Sequence, residues 1–339
     1  MKRLCFVLII AAVVVSGAFA GGQAEPAARP EADAEPINLR FGAVNPMSHP
    51  FLQGAQHMAD LLEERSDGRI TITFYPSSQL GGVSEMLQQV QVGALDLTFS
   101  KPGTLADMGY EEINVYELPY VFRDEDHLNE IMFSEIGEQL LDGVQEAGLR
   151  MVSLAYYSDG ARSMFFREKE VRTLADMRGQ RVRVQPIQVF IDLMEAFNAS
   201  PTPIAYAELF SALQTGVVDA AENPLTGYHA NNFFEVAPIF VFNEHTMAPS
   251  MVHMSEMTWN RLSAADRELI RDAAVESGLF VLELVASQRE DLIAELENEH
   301  GVTFIELEDK DAWLEAARPV VQEYGANYLD LIERIQAVQ

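Results

Sequence analysis

Positive charge is scarce in this 339-residue chain: 23 lysines and arginines face 52 aspartates and glutamates, a formal net charge of −29. A nucleic-acid backbone would be repelled over most of such a surface, so nucleic-acid binding is not expected. Cysteine is almost absent. The single Cys5 rules out a disulfide framework and a cysteine-rich zinc site. Catalytic signatures are missing as well. The chain has no Gly-x-Ser-x-Gly elbow, no glycine-rich phosphate loop and no dinucleotide fingerprint. Its seven histidines include no His-x-x-x-His pair of the kind a helical zinc site needs. We therefore expect no enzyme, no catalytic residues, no cofactor and no metal centre. Apart from the first twenty residues, no stretch approaches the 18 apolar residues of a membrane span.

What is present begins with an export signal. Lys2 and Arg3 precede an unbroken apolar run from Leu4 to Val15, followed by Ala18-Phe19-Ala20. This pattern predicts a signal peptide over residues 1–20, cleaved after Ala20, and a periplasmic mature protein. Cys5 lies ahead of the apolar run rather than after it, so lipid anchoring through it is not expected. Residues 21–36, GGQAEPAARPEADAEP, lack large apolar side chains. They read as a disordered linker that cannot offset its ordering entropy.

From Ile37 the periodicity alternates. Ile37, Leu39 and Phe41 recur at strand spacing, and Phe51, Ala55, Met58 and Leu62 at helix spacing; Ile70–Tyr75 is again β-branched and aromatic. Further strands are expected at 95–99, 149–156, 181–184 and 217–221, with helices at 83–92, 187–197 and 206–213. Such alternation predicts an α/β protein built from βαβ units. Beyond Ser263, read with Asp266 as a capping box, some 35 residues contain no proline and only Gly278 as glycine. They form one long helix or two abutting ones, with Ile270, Ala274, Leu279, Leu282 and Leu292 as the apolar face. One helix of that length would reach ~50 Å, enough to run across two domains. The twin segments Thr104–Met108 and Thr173–Met177, both Thr-Leu-Ala-Asp-Met, read as capped helix starts.

The few cations are then the informative residues. Arg181-Val-Arg-Val184 places Arg181 and Arg183 on one face of a strand and the valines on the other. An arginine at the C-terminal end of a parallel strand sits where α/β sheets bind ligands, and its planar fork suits a carboxylate. Spacing alone also permits a solvated strand end paired with a nearby acid.

Five segments, in order, resemble the solute-binding proteins of TRAP transporters, the DctP family. They are Tyr75–Gly81 (YPSSQLG), Leu118–Phe122 (LPYVF), Leu174–Gly179 with Arg181–Val184, Ser200–Pro203 (SPTP) and Leu213–Leu225 (LQTGVVDAAENPL). The resemblance extends from Ile37 to the C-terminus. It implies a two-domain clam-shell fold with mixed, mostly parallel sheets and a long domain-spanning helix. On it, domain I comprises residues 37–160 and about 249–288, and domain II residues 161–248 and about 289–339.

The resemblance also implies roles. Arg183 would form the main salt bridge to a substrate carboxylate, Arg162 of Asp159-Gly-Ala-Arg162 would assist, and Asn223 would hydrogen-bond the ligand. Glu222 and His245 would belong to a polar network that orients the arginine, and Tyr206 would line the site. Read locally, Asn223 is equally a helix N-cap ahead of Pro224, Tyr206 a core residue and His245 a loop histidine. Lys101 follows a strand where the family places a ligand-facing residue of variable type; read locally it is a solvated loop lysine. In the cleft it would point to a second anionic or electron-rich group on the ligand. The implied function is capture of a small organic acid and its delivery, by a monomer, to membrane permease subunits driven by an ion gradient. A binding protein of an ATP-driven importer, a ligand-presenting sensor and an exported enzyme are the competing classes.

Overall fold

The computed structural model describes residues 35–338. The expected signal peptide and nearly all of the linker lie outside the described residues. Two mixed sheets organise the chain. The first runs β2 (Ile70–Tyr75), β1 (Ile37–Gly42), β3 (Leu97–Ser100), β10 (Ser250–Ser255), β4 (Met151–Tyr157). The second runs β11 (Thr303–Glu306), β9 (Ile239–Thr246), β5 (Arg162–Phe166), β8 (Ala220–Pro224), β6 (Arg181–Val184), β7 (Ser200–Pro203). Parallel pairs join β1 to β2 and β3, β6 to β7 and β8, and β9 to β11. The antiparallel pairs all involve β5 or β10, which enter their sheets directly from the other one. The chain passes from the first sheet to the second between β4 and β5, over Ser158–Ala161, and returns between β9 and β10, over Met247–Pro249.

The third link is a single helix, Ala264–Asn298, rather than two abutting ones. Its first half buries Ile270, Ala273, Ala274 and Val281 against β1, β4 and the Pro50–Arg65 helix. Its second half buries Leu292 and Leu296 against β8, β9 and their helices. Ile270, Ala274, Val281, Val285, Leu292 and Leu296 recur at intervals of four and seven, a stripe that follows one side of the helix. Leu279, expected on the apolar face, lies off this stripe and is half exposed. Gly278 lies on it because the helix crosses β4 too closely for a side chain: a Cβ there would stand 2.5 Å from the Tyr156 carbonyl oxygen.

Local readings fared unevenly. Ser263 caps the long helix by accepting from the Asp266 N–H. Thr173 opens a 3₁₀ turn, Leu174–Met177, with a complete capping box to Asp176. Thr104, its sequence twin, caps nothing: it lies inside the helix Pro102–Asp107, which starts earlier because Pro102 takes the first helical position. The strand expected at 217–221 sits three residues later, since Gly216 and Val217 still belong to the turn leaving the preceding helix. The C-terminal helix Leu329–Ala337 packs Leu331, Ile332 and Ile335 into the cluster that contains Leu128 and Ile131, on the side of the first sheet.

Candidate ligand-binding site

A cavity of about 780 Å³ lies between the two sheets. The C-terminal ends of parallel strands meet there, as in other α/β ligand sites. β3 ends at Ser100 with Lys101 next, β6 delivers Arg183 with Gln185 just beyond its end, and β8 delivers Asn223. The crossing segment adds Asp159, and the first residue of β5 adds Arg162.

Arg183 is 1% exposed, a guanidinium out of water. Its strand partners explain the burial: β6 lies inside the sheet, between β7 and β8. Its Nε donates to the Ile204 carbonyl at 2.9 Å, and its Cζ stands 5.7 Å from the centre of the Tyr206 ring. Nη1 is buried with no partner. Burial, with Arg162 nearby, pulls its pKa down to about 10 despite Glu222 and Tyr206. Arg181, on the same strand face, is the solvated member: it forks onto Asp219 through Nε at 2.9 Å and Nη2 at 2.5 Å.

Arg162, also buried, has a counter-ion. Its Nε donates to Glu222 Oε2 at 2.5 Å and its Nη2 to the Glu222 carbonyl at 3.1 Å. Burial opposes the Arg162 charge, but Glu222 outweighs it and holds the pKa up. The expected network around the arginine is thus centred on Arg162 rather than Arg183. His245 Nε2 stands 3.8 Å from the same Glu222 oxygen, and its Nδ1 lies 3.2 Å from Asn243 Oδ1.

Asn223 is the penultimate residue of β8, and Pro224, its last, takes the cap position of the following helix with no side-chain cap bond. The capping alternative for Asn223 is therefore overturned. Its Nδ2 instead donates to the Tyr206 hydroxyl at 3.1 Å, which also accepts from Asn231 at 2.8 Å. Lys101 lines the cavity and is not a solvated loop residue. Its Nζ donates to the Ala248 carbonyl at 2.7 Å, lies 3.6 Å from Asp159 Oδ1 and stands 5.5 Å from the Phe51 ring centre.

The sequence reading missed four groups. Asp159 was legible: it sits in the segment that singled out Arg162. His49 was hidden by its role as N-cap of the Pro50–Arg65 helix, where Nδ1 accepts from the Phe51 N–H at 3.2 Å. Gln185 carries a buried, unpartnered Nε2. Glu117, fully buried, accepts from the Gly103 N–H at 2.9 Å, and burial lifts its pKa to about 6. No cluster of metal ligands occurs among the described residues.

The family profile of bacterial extracellular solute-binding proteins, family 7, known as DctP, matches residues 41–327. The chain belongs to this family. Its DctP-type fold is that of a TRAP periplasmic solute-binding protein from Pseudomonas putida F1, solved with bound D-glucuronate. That protein is 34% identical, with a TM-score of 0.86 over 89% of this chain and 98% of its own. A second such protein, from Xanthobacter autotrophicus Py2 with bound β-D-galacturonate, is 30% identical, with a TM-score of 0.84 over 89% and 100%. The sialic acid-binding periplasmic protein SiaP of Vibrio cholerae is 32% identical over 85% of this chain and 88% of its own. These DctP-family relatives are periplasmic binding proteins, one for sialic acid and two solved with a bound uronate.

Three histidines of this DctP-family chain are fully buried, and burial lowers the pKa of each. His49 and His245 fall to about 4, and His253, held between Ser100 and Ser153, to about 3. Their folded values lie below the unfolded 6.5, so the unfolded chain binds more protons between about pH 6.5 and 4. Stability is therefore full above pH 6.5 and is lost as pH falls through that window. Glu117 acts oppositely, its raised pKa favouring the fold below about pH 6, but one carboxyl is outnumbered by three imidazoles. Thermal melts of the ligand-free protein should show the midpoint falling by several degrees between pH 7 and 5; a midpoint that holds or rises would contradict the buried neutral histidines.

Proposed function

We propose that the protein captures a small organic acid between its two lobes and delivers it to a TRAP-type, ion-gradient-driven membrane transporter. The observation that carries this reading is the buried Arg183, whose Nη1 faces no partner within a cavity. A desolvated cation without a counter-ion is costly, and an incoming carboxylate supplies the missing charge-assisted bonds. Arg162, Asn223 and Tyr206 assist, and Glu222 with His245 fixes Arg162. The lobes are residues 37–160 with about 249–288, and 161–248 with about 289–339, the helix at 329–337 packing back onto the first. Closure expels water, strengthens the salt bridge and favours the closed state by its differential affinity. The protein acts as a monomer without cofactor, and export removes residues 1–20, leaving Gly21 as the first residue.

The test is a thermal-shift screen of organic acids. A ligand at 100 times its Kd stabilises by about 2.7 kcal/mol, which at ~1.5 °C per kcal/mol for a chain of this size raises the midpoint by about 4 °C. Stabilisation by neutral sugars or amines, but by no carboxylate, would refute the assignment.

A further inference from the structure

We propose that Lys101 and Asp159 together read a hydroxyl group of the ligand, so that the bound acid is a hydroxylated monocarboxylate and a second carboxylate is rejected. This rests on the reading of Arg183 as the carboxylate partner. Asp159 lines the cavity, and its side chain is only 3% exposed. Its Oδ1 makes no hydrogen bond, since Lys101 Nζ lies 3.6 Å away, beyond hydrogen-bonding reach. Its other oxygen, Oδ2, faces His49 Nε2 at 3.7 Å. His49 Nδ1 accepts from a backbone N–H, so the neutral ring carries its proton on Nε2, toward Asp159. Asp159 is thus held as a buried carboxylate between two donors, neither of which satisfies it.

Lys101 complements it. An ammonium has three donors, and one is spent on the Ala248 carbonyl at 2.7 Å. An atom seated between Nζ and Oδ1 must accept from the first and donate to the second. A hydroxyl does both. A carboxylate only accepts, and it would place a negative charge against the buried Asp159. Lys101 alone would invite a second anion; Asp159 beside it cancels that invitation. A methyl or methylene group would leave both polar groups buried and unpaired, which a site built to hydrogen-bond a hydroxyl strongly disfavours. The cavity-lining groups therefore differ in kind. Arg183 presents donors only, whereas Lys101 and Asp159 present a donor and an acceptor.

The experiment is isothermal titration of the full mature protein with D-gluconate, D-glucuronate, D-erythronate, D-glucarate, succinate and butyrate. At least one of the three hydroxylated monocarboxylates should bind 100-fold or more tighter than succinate and butyrate, and tighter than D-glucarate. Asp159→Asn should weaken that ligand by 10-fold or more and narrow its advantage over succinate, since Lys101 is left uncompensated. The ratio of two ligands on one protein is independent of the folded fraction, which the fitted stoichiometry reports. Lys101→Gln, titrated in parallel, should lose affinity for the same ligand. Succinate binding as tightly as the best hydroxylated acid, or an unchanged ratio in Asp159→Asn, overturns the inference. Arg183→Ala separates the two claims. If it abolishes binding while succinate is preferred, only the hydroxyl assignment fails; if it leaves binding intact, or if no acid binds, the carboxylate reading falls and the inference with it.

Discussion

Replacing Arg183 with alanine should raise the dissociation constant for the captured acid by roughly 30- to 4,000-fold, about 2–5 kcal/mol. The range reflects what removal leaves behind. A ligand carboxylate in this cavity would be cut off from water and left with Arg162, whose Nε and Nη2 are already committed to Glu222. The same residue should have the opposite effect on the empty protein. Holding Arg183 charged with its pKa near 10 rather than 12.5 costs the fold about 3 kcal/mol. Arg183→Met removes that charge while its unbranched side chain refills part of the space. The ligand-free melting midpoint should therefore hold or rise, while the ligand-induced shift disappears. A variant that melts far lower yet retains its Kd would show that Arg183 serves the fold and not the ligand.

The paired outcome, looser binding with an undiminished fold, is what distinguishes a functional arginine from a structural one. Arg181 offers the contrast within one strand. It lies two residues away, on the same face, and its fork is filled by Asp219. Both are arginines of one Arg-Val-Arg-Val segment, and spacing could not separate them. What separates them is the surrounding sheet: β6 is flanked on both sides, and its C-terminal end opens into the cavity while its start meets solvent.

That contrast marks where sequence reading stops. Alternating periodicities were enough for the α/β class, because strand and helix repeats differ and each must bury an apolar face. The long helix was legible for a similar reason, from the absence of proline over some 35 residues and a cap at Ser263. Its buried stripe was misjudged at Leu279, since a helix that touches two cores in succession need not bury every leucine near its seam. Long-range pairing was the harder limit. Nothing local says that Glu222 pairs with Arg162 across antiparallel strands, or that Lys101 meets Asp159, 58 positions on. His49 and Glu117 were invisible because their burial comes from elements distant in the chain.

The Glu222–Arg162 pair gives the second large effect, on stability. Glu222 is fully buried and supplies the carboxylate that holds a buried guanidinium. Glu222→Gln preserves shape but removes the charge, leaving Arg162 with only the weaker influence of Asp159 and Glu117 against the like-charged Lys101 and Arg183. Breaking a buried pair from one side costs about 3–5 kcal/mol. At ~1.5 °C per kcal/mol for a chain of this size, the midpoint should fall by about 4–8 °C. Glu222 also opposes the loss of the proton from His245, so that imidazole should titrate lower still in the variant. The double variant Glu222→Gln with Arg162→Met removes both charges, and much of the stability should return. A double-mutant cycle by urea denaturation then reads the coupling between the two side chains directly. Additive losses in that cycle would mean that the two charges are stabilised separately, and that the close approach of Arg162 Nε to Glu222 does not hold the crossing strand in place.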